Sequence, residues 1–126
     1  MDLSSVEAIA SLPVSNLERA VSWYTTHLGS EPSESVDFGT FFACGGGTSF
    51  FVYQSEFAGT NKGTALSLRV GDFEGAVADL RGRGVVFEEY DFENLTTVNG
   101  VATFPDGSKS AWFKDLDGNI IAIGSQ

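Results

Sequence analysis

Ser11-Leu12-Pro13-Val14-Ser15-Asn16-Leu17-Glu18-Arg19-Ala20-Val21 recurs 56 positions later as Ser67-Leu68-Arg69-Val70-Gly71-Asp72-Phe73-Glu74-Gly75-Ala76-Val77. Ser, Leu, Val, Glu, Ala and Val coincide, and Leu17 and Phe73 are both apolar. Self-similarity at a fixed offset marks a duplicated structural unit. Each copy reads as a strand running into a helix. Leu17, Ala20, Val21, Tyr24 and Leu28 form one apolar helical stripe, and Phe73, Ala76, Val77 and Leu80 form the other. Both follow the spacing of a single buried helical face. Ser15 with Glu18 has the spacing of a capping box, and Asp72 suits the second N-cap. Gly29 and Gly84 stand just past the helices, where a left-handed residue ends the last turn.

Working outward, strand patterns follow each helix: Val36–Phe38, Thr40–Cys44 and Ser49–Gln54, then Val85–Tyr90, Ser110–Lys114 and Ile120–Gly124. Gly45-Gly46-Gly47 and Asp117-Gly118-Asn119 supply turns between them. Residues 91–108, with Asn99-Gly100 and Pro105-Asp106-Gly107, read as an insertion. The expected fold is α+β: two βαβββ modules in a pseudo-twofold arrangement, at about residues 5–55 and 64–126. No linker separates them, so the 126 residues read as one domain.

Composition excludes several functions. A net charge of −10 argues against nucleic-acid binding, which needs a basic face. The same charge favours solubility and is compatible with a cationic guest. No apolar run is long enough for a membrane span, and no signal peptide is evident. One cysteine, Cys44, cannot form an intramolecular disulfide, so a cytoplasmic location is expected. There is no Ser-His-Asp pattern, phosphate loop or dinucleotide fingerprint.

Two stretches carry a family resemblance. Leu12-Pro13-Val14-Ser15-Asn16-Leu17-Glu18-Arg19-Ala20-Val21-Ser22-Trp23-Tyr24, closing on Leu28-Gly29, is similar to the opening strand and helix of vicinal oxygen chelate proteins, the glyoxalase, bleomycin-resistance and dioxygenase superfamily. Ala111-Trp112-Phe113-Lys114-Asp115-Leu116-Asp117-Gly118-Asn119-Ile120-Ile121 resembles the closing hairpin. Trp23 replaces the usual phenylalanine, and Leu116 the usual proline. The resemblance implies sheets curled into an open barrel around a cavity, and a homodimer. It places metal ligands of the metal-using members at Ile9, Phe51, Ala65 and Ala122. None of these has a donor side chain, so no metal and no cofactor are expected. His27, the single histidine, falls near a helix end, where it complements the dipole.

Strand parity then nominates the cavity wall. Ile9, Ser67, Arg69 and Ala122 take the face opposite the helices. Phe51, Tyr53 and Trp112 share it, and Phe42 is a further candidate. Aromatic walls suit a flat or apolar ligand, and a filled core is the competing reading. Trp112 is the leading contact because indole combines area with a donor. Arg69 either anchors a ligand carboxylate, pairs with Glu7 or another acid, or lies exposed at the rim. Glu7 and Tyr53 are the candidate acid–base groups. Cys44 reads by default as a small buried hydrophobe. These residues point first to a metal-independent protein that binds a small aromatic or cationic molecule. A metal-independent lyase or isomerase is the alternative, and an interaction module with a filled cavity is the third reading.

Overall fold

Leu12 and Val14 are wholly buried while Ser11 is exposed, and this alternation defines β1 (Ala10–Val14). The computed structural model describes all 126 residues. After β1 come α1 (Leu17–Leu28), β2 (Glu34–Val36), β3 (Gly39–Ala43) and β4 (Ser49–Gln54). The second half holds β5 (Thr64–Val70), α2 (Phe73–Gly82), β6 (Asp91–Phe92), β7 (Leu95–Thr96), β8 (Ala102–Thr103), β9 (Lys109–Lys114) and β10 (Ile120–Ser125). The strands form two mixed four-stranded sheets, ordered β1-β4-β3-β2 and β5-β10-β9-β8, plus the separate β6–β7 hairpin. β1 runs parallel to β4, and β5 parallel to β10; the other ladders are antiparallel. β1 and β5 lie alongside one another. The sheets are curved and open, and are not closed into a barrel.

Both helices cover one side of the sheets. Seventeen buried apolar residues from both halves form one core there, including Leu12, Val52, Phe113, Ile121 and Ile123. Pro13 sits at a sheet edge, where its missing N–H leaves no gap in a central ladder. The expected helices are present, with Gly29 left-handed at φ 76° and Gly84 at φ 93°. Asp72 caps α2 by accepting from the Gly75 amide at 3.0 Å.

Several details differ from the sequence reading. Asn16, not Ser15, caps α1, its Oδ1 accepting from the Arg19 amide at 3.0 Å. The Ser15 amide is instead engaged by Asp117 Oδ2 at 3.1 Å, a partner far away in sequence. β2 falls two residues earlier than Val36–Phe38, because Asp37 and Phe38 form the turn into β3. Val85–Tyr90 is not a regular strand. It touches β9 through a bridge between Phe87 and Phe113 and a bond from the Glu88 amide to the Trp112 carbonyl. The rest of the β9 edge is taken by β8, from within residues 91–108. Those residues therefore complete the second sheet and are not wholly an insertion.

The β9–β10 turn joins the two halves. Asp115 is buried and accepts four hydrogen bonds: from Tyr24 Oη at 2.7 Å, Asn119 Nδ2 at 2.8 Å, and the Asp117 and Asn119 amides at 2.9 Å. Asn119 Nδ2 also donates to the Pro13 carbonyl at 2.8 Å. Burial, followed by the Asp115 charge, pushes the Tyr24 phenol well above its ordinary range.

Candidate functional site

The face of each sheet opposite the helices is open, and parity decides which side chains stand on it. In the first sheet Phe51 lies between Ser11 and Phe41, and Tyr53 between Pro13 and Gly39. The Phe51 ring is 4.5 Å from Phe41, 5.9 Å from Tyr53 in a stacked pair, and 5.9 Å from Phe38 edge-on. It lies across Gly39, where an added Cβ would stand 2.1 Å from its Cζ. The glycine thus lets the ring lie flat on the backbone. Phe42 has the opposite parity and is 2% exposed in the core, so it does not belong to this face.

In the second sheet Ala122 lies between Trp112 and Ser67, and Gly124 between Ser110 and Arg69. The Trp112 indole meets Tyr90 edge-on at 5.6 Å, and Tyr90 stacks on Phe92 at 5.5 Å. Together with Leu95, Ile120 and Lys114 these rings border a pocket of about 380 Å³. Lys62 also lines it, and Lys114 pairs with Glu88 at 3.0 Å. Burial, then the Glu88 charge, raises the Tyr90 phenol, and Lys114 acts in the opposite direction.

The β6–β7 hairpin is held over this region by the Glu89 carboxylate, which accepts from Thr97 Oγ1 at 2.9 Å and from the Gly100 amide. Sequence reasoning missed Tyr90, Phe92 and Lys114 as neighbours of Trp112. The chain offered little signal for this, because Glu88 and Glu89 stand side by side before Tyr90 and break any apolar–polar alternation.

The nominated residues therefore fall into two groups. Phe51 and Tyr53 belong to the first sheet; Trp112, Ser67, Arg69 and Ala122 belong to the second. Ile9 is exposed in the segment preceding β1. Glu7 lies beyond the same end of β1, whereas Tyr53 pairs with Pro13 near the other end. Arg69 is exposed and forms neither an ion pair nor a side-chain hydrogen bond. Of the alternatives for Arg69, the pair with Glu7 is not formed and the side chain is exposed. Cys44 is half-buried, and burial raises its thiol. His27 is in the last turn of α1, stacked on Trp23 at 4.4 Å with Nδ1 donating to the Trp23 carbonyl at 2.9 Å.

Residues 6–123 match the family model of the Glyoxalase/Bleomycin resistance protein/Dioxygenase superfamily. The chain belongs to this superfamily. Its fold is shared with a glyoxalase/bleomycin resistance protein from Catenulispora acidiphila, at 22% identity and TM-score 0.71, covering 97% of this chain and 99% of that one. A lactoylglutathione lyase from Agrobacterium tumefaciens matches at 17% identity and TM-score 0.70, over 96% and 93% of the two chains. TnmS3, an antibiotic binding protein from Streptomyces sp. CB03234, matches at 23% identity and TM-score 0.62, over 96% and 97%. No curated protein matches the chain by sequence.

Superfamily membership raises the question of a metal centre. The positions implied for its ligands carry Ile9, Phe51, Ala65 and Ala122, whose side chains offer no nitrogen, oxygen or sulfur donor. No group of three or more His, Cys, Asp or Glu side chains is arranged to hold an ion. The residues present do not fit the superfamily's metal site.

Proposed function

We propose that this superfamily member is a metal-independent small-molecule-binding protein, whose guest is a flat aromatic molecule held against Trp112. The supporting observation is the pocket of about 380 Å³ where Trp112, Tyr90 and Phe92 converge on an open sheet face. Aromatic walls with a few polar groups at the rim are the usual construction of a ligand pocket. Lys62 at this rim, with Lys114 already paired to Glu88, favours a neutral or anionic guest over the cation that the overall charge suggested. Ser67 and Ala122 extend the same face beside Trp112, and Arg69 offers an unpaired guanidinium further along β5 for a guest carboxylate.

An aromatic panel titrated against the protein, read by melting temperature and tryptophan fluorescence, tests this. A binder should raise the melting temperature in proportion to its occupancy. Trp112→Ala should weaken it by about tenfold or more, the worth of a lost aromatic contact. Binding unchanged in Trp112→Ala, or no binder in the panel, would sink the proposal.

The alternative of a metal-independent lyase or isomerase requires Glu7, Tyr53 and Arg69 to act together. No hydrogen bond or ion pair links any two of them, and Glu7 and Tyr53 flank opposite ends of β1. Binding without turnover is therefore the preferred reading.

The proposal includes a homodimer. Phe38, edge-on to Phe51 of the aromatic cluster, is 65% exposed, and Val36, the strand partner of Gly39, is 40% exposed. A second copy covering this face would bury it. Light scattering coupled to size exclusion should give twice the chain mass, and a monomer at high protein concentration would refute this part.

A further inference from the structure

The duplicated halves are packed differently at equivalent places, and the difference leaves a cavity. At the 56-residue offset, Leu12 corresponds to Leu68, Val14 to Val70, Ala20 to Ala76 and Tyr24 to Leu80. The β3–β4 and β9–β10 turns also correspond: the Cys44 amide bonds the Thr48 carbonyl at 2.7 Å, as the Asp115 amide bonds that of Asn119 at 2.9 Å. In one half, the Tyr24 ring packs near Phe42 and Phe50 of β3 and β4, and its hydroxyl reaches Asp115. Leu12 and Val14 in this half are 0% exposed. In the other half, Leu80 stands for the tyrosine and Cys44 for the aspartate. The shorter pair spans less of the gap, and Leu68 and Val70 remain only half-buried.

The space left open is about 220 Å³ and lies between α1, α2 and both sheets. Ten of its twelve lining residues are apolar, Phe42, Phe50, Leu68, Leu80 and Ile123 among them. Its two polar liners are Ser30 and Asp79, and Asp79 is engaged by Arg83 at 3.2 Å. The pocket opens to solvent beside the exposed Ser30, Ala43 and Asp79, and an apolar guest would displace water that its mostly apolar wall holds poorly. The space is therefore suited to one aromatic ring with small substituents, or a compact fused pair.

We propose that this inter-module cavity, on the helix side of the sheets and separate from the Trp112 pocket, is a binding site for a small uncharged aromatic molecule. Cys44 lines the cavity and is the chain's only thiol, so it reports occupancy without a label elsewhere.

The test adds toluene, indole or naphthalene to the whole protein and follows both melting temperature and the rate of Cys44 modification by a chromogenic disulfide. The work is done at mildly alkaline pH, because burial holds this thiol up. A probe that fits should raise the melting temperature and, at ten times its dissociation constant, slow labelling about tenfold. Ala76→Leu fills the cavity from α2 and Leu68→Phe fills it from β5; either, if folded, should abolish the probe's effect on Cys44 labelling. Failure of all three probes to slow Cys44 labelling in the unaltered protein overturns the proposal, as does slowing that survives a folded filling variant; a rise in melting temperature without slowing is assigned to the Trp112 pocket and also counts against this site.

Discussion

Tyr24→Phe isolates one of the bonds that join the two halves. The phenol is wholly buried and donates to Asp115 Oδ2 at 2.7 Å. Phenylalanine retains the ring and its packing near Phe42 and Phe50, at 5.8 and 5.7 Å. Only the hydroxyl is lost, so the cavity term is small. Asp115 keeps its three other donors, from Asn119 and the Asp117 amide. A hydrogen bond to a charged group contributes about 1.5–3 kcal/mol, and the expected loss is about 2 kcal/mol. In urea this lowers the midpoint by about 1 M, and in a thermal scan the melting temperature falls by roughly 6–10 °C.

The pH dependence provides a second signature of the same bond. Tyr24 has a raised folded-state pKa, so its contribution is intact below about pH 10, the ordinary phenol value. Above that, the unfolded chain releases a proton that the folded protein retains. Stability then falls with rising pH by up to about 1.4 kcal/mol per pH unit until the raised folded pKa is passed. Tyr24→Phe should remove this part of the alkaline slope. A midpoint shift below about 0.2 M urea, together with an alkaline slope equal to that of the unaltered protein, would refute the reasoning.

Two further substitutions test local assignments. Asn16→Ala should cost about 1 kcal/mol in urea denaturation by removing the α1 cap, whereas Ser15→Ala should stay within about 0.5 kcal/mol because its side chain caps nothing; equal costs would show that the cap is misassigned. Glu89→Ala removes the acceptor that holds Thr97 and the Gly100 amide, and should cost about 1–3 kcal/mol. It should also speed Gly100 amide exchange; unchanged exchange there would show that the carboxylate does not hold the loop.

Much of the architecture is legible in the chain because helix and strand periodicities are local. The stripe from Leu17 to Leu28 and the alternation through β5 and β10 place Leu66, Ile121 and Ile123 in the core, as they are found. The same parity separates Phe51, Tyr53 and Trp112 from the helix side. Residues 91–108 were less legible. A two-residue strand such as β8 carries too few side chains to show a period, and it forms because β9 presents a free edge beside it.

The sequence by itself determined the duplication, the superfamily and the absence of donor side chains at the implied metal positions, since each depends on residue identity along the chain. Only the tertiary structure decided which side chains meet. It brought Tyr90 against Trp112, gave the Ser15 amide to Asp117, and left Glu7, Tyr53 and Arg69 without a common bond. It also showed that Tyr24 fills one half of the duplication where Leu80 leaves the other open. Whether a gap closes depends on the volumes of side chains from several distant strands and helices, and no local pattern in the chain encodes that sum.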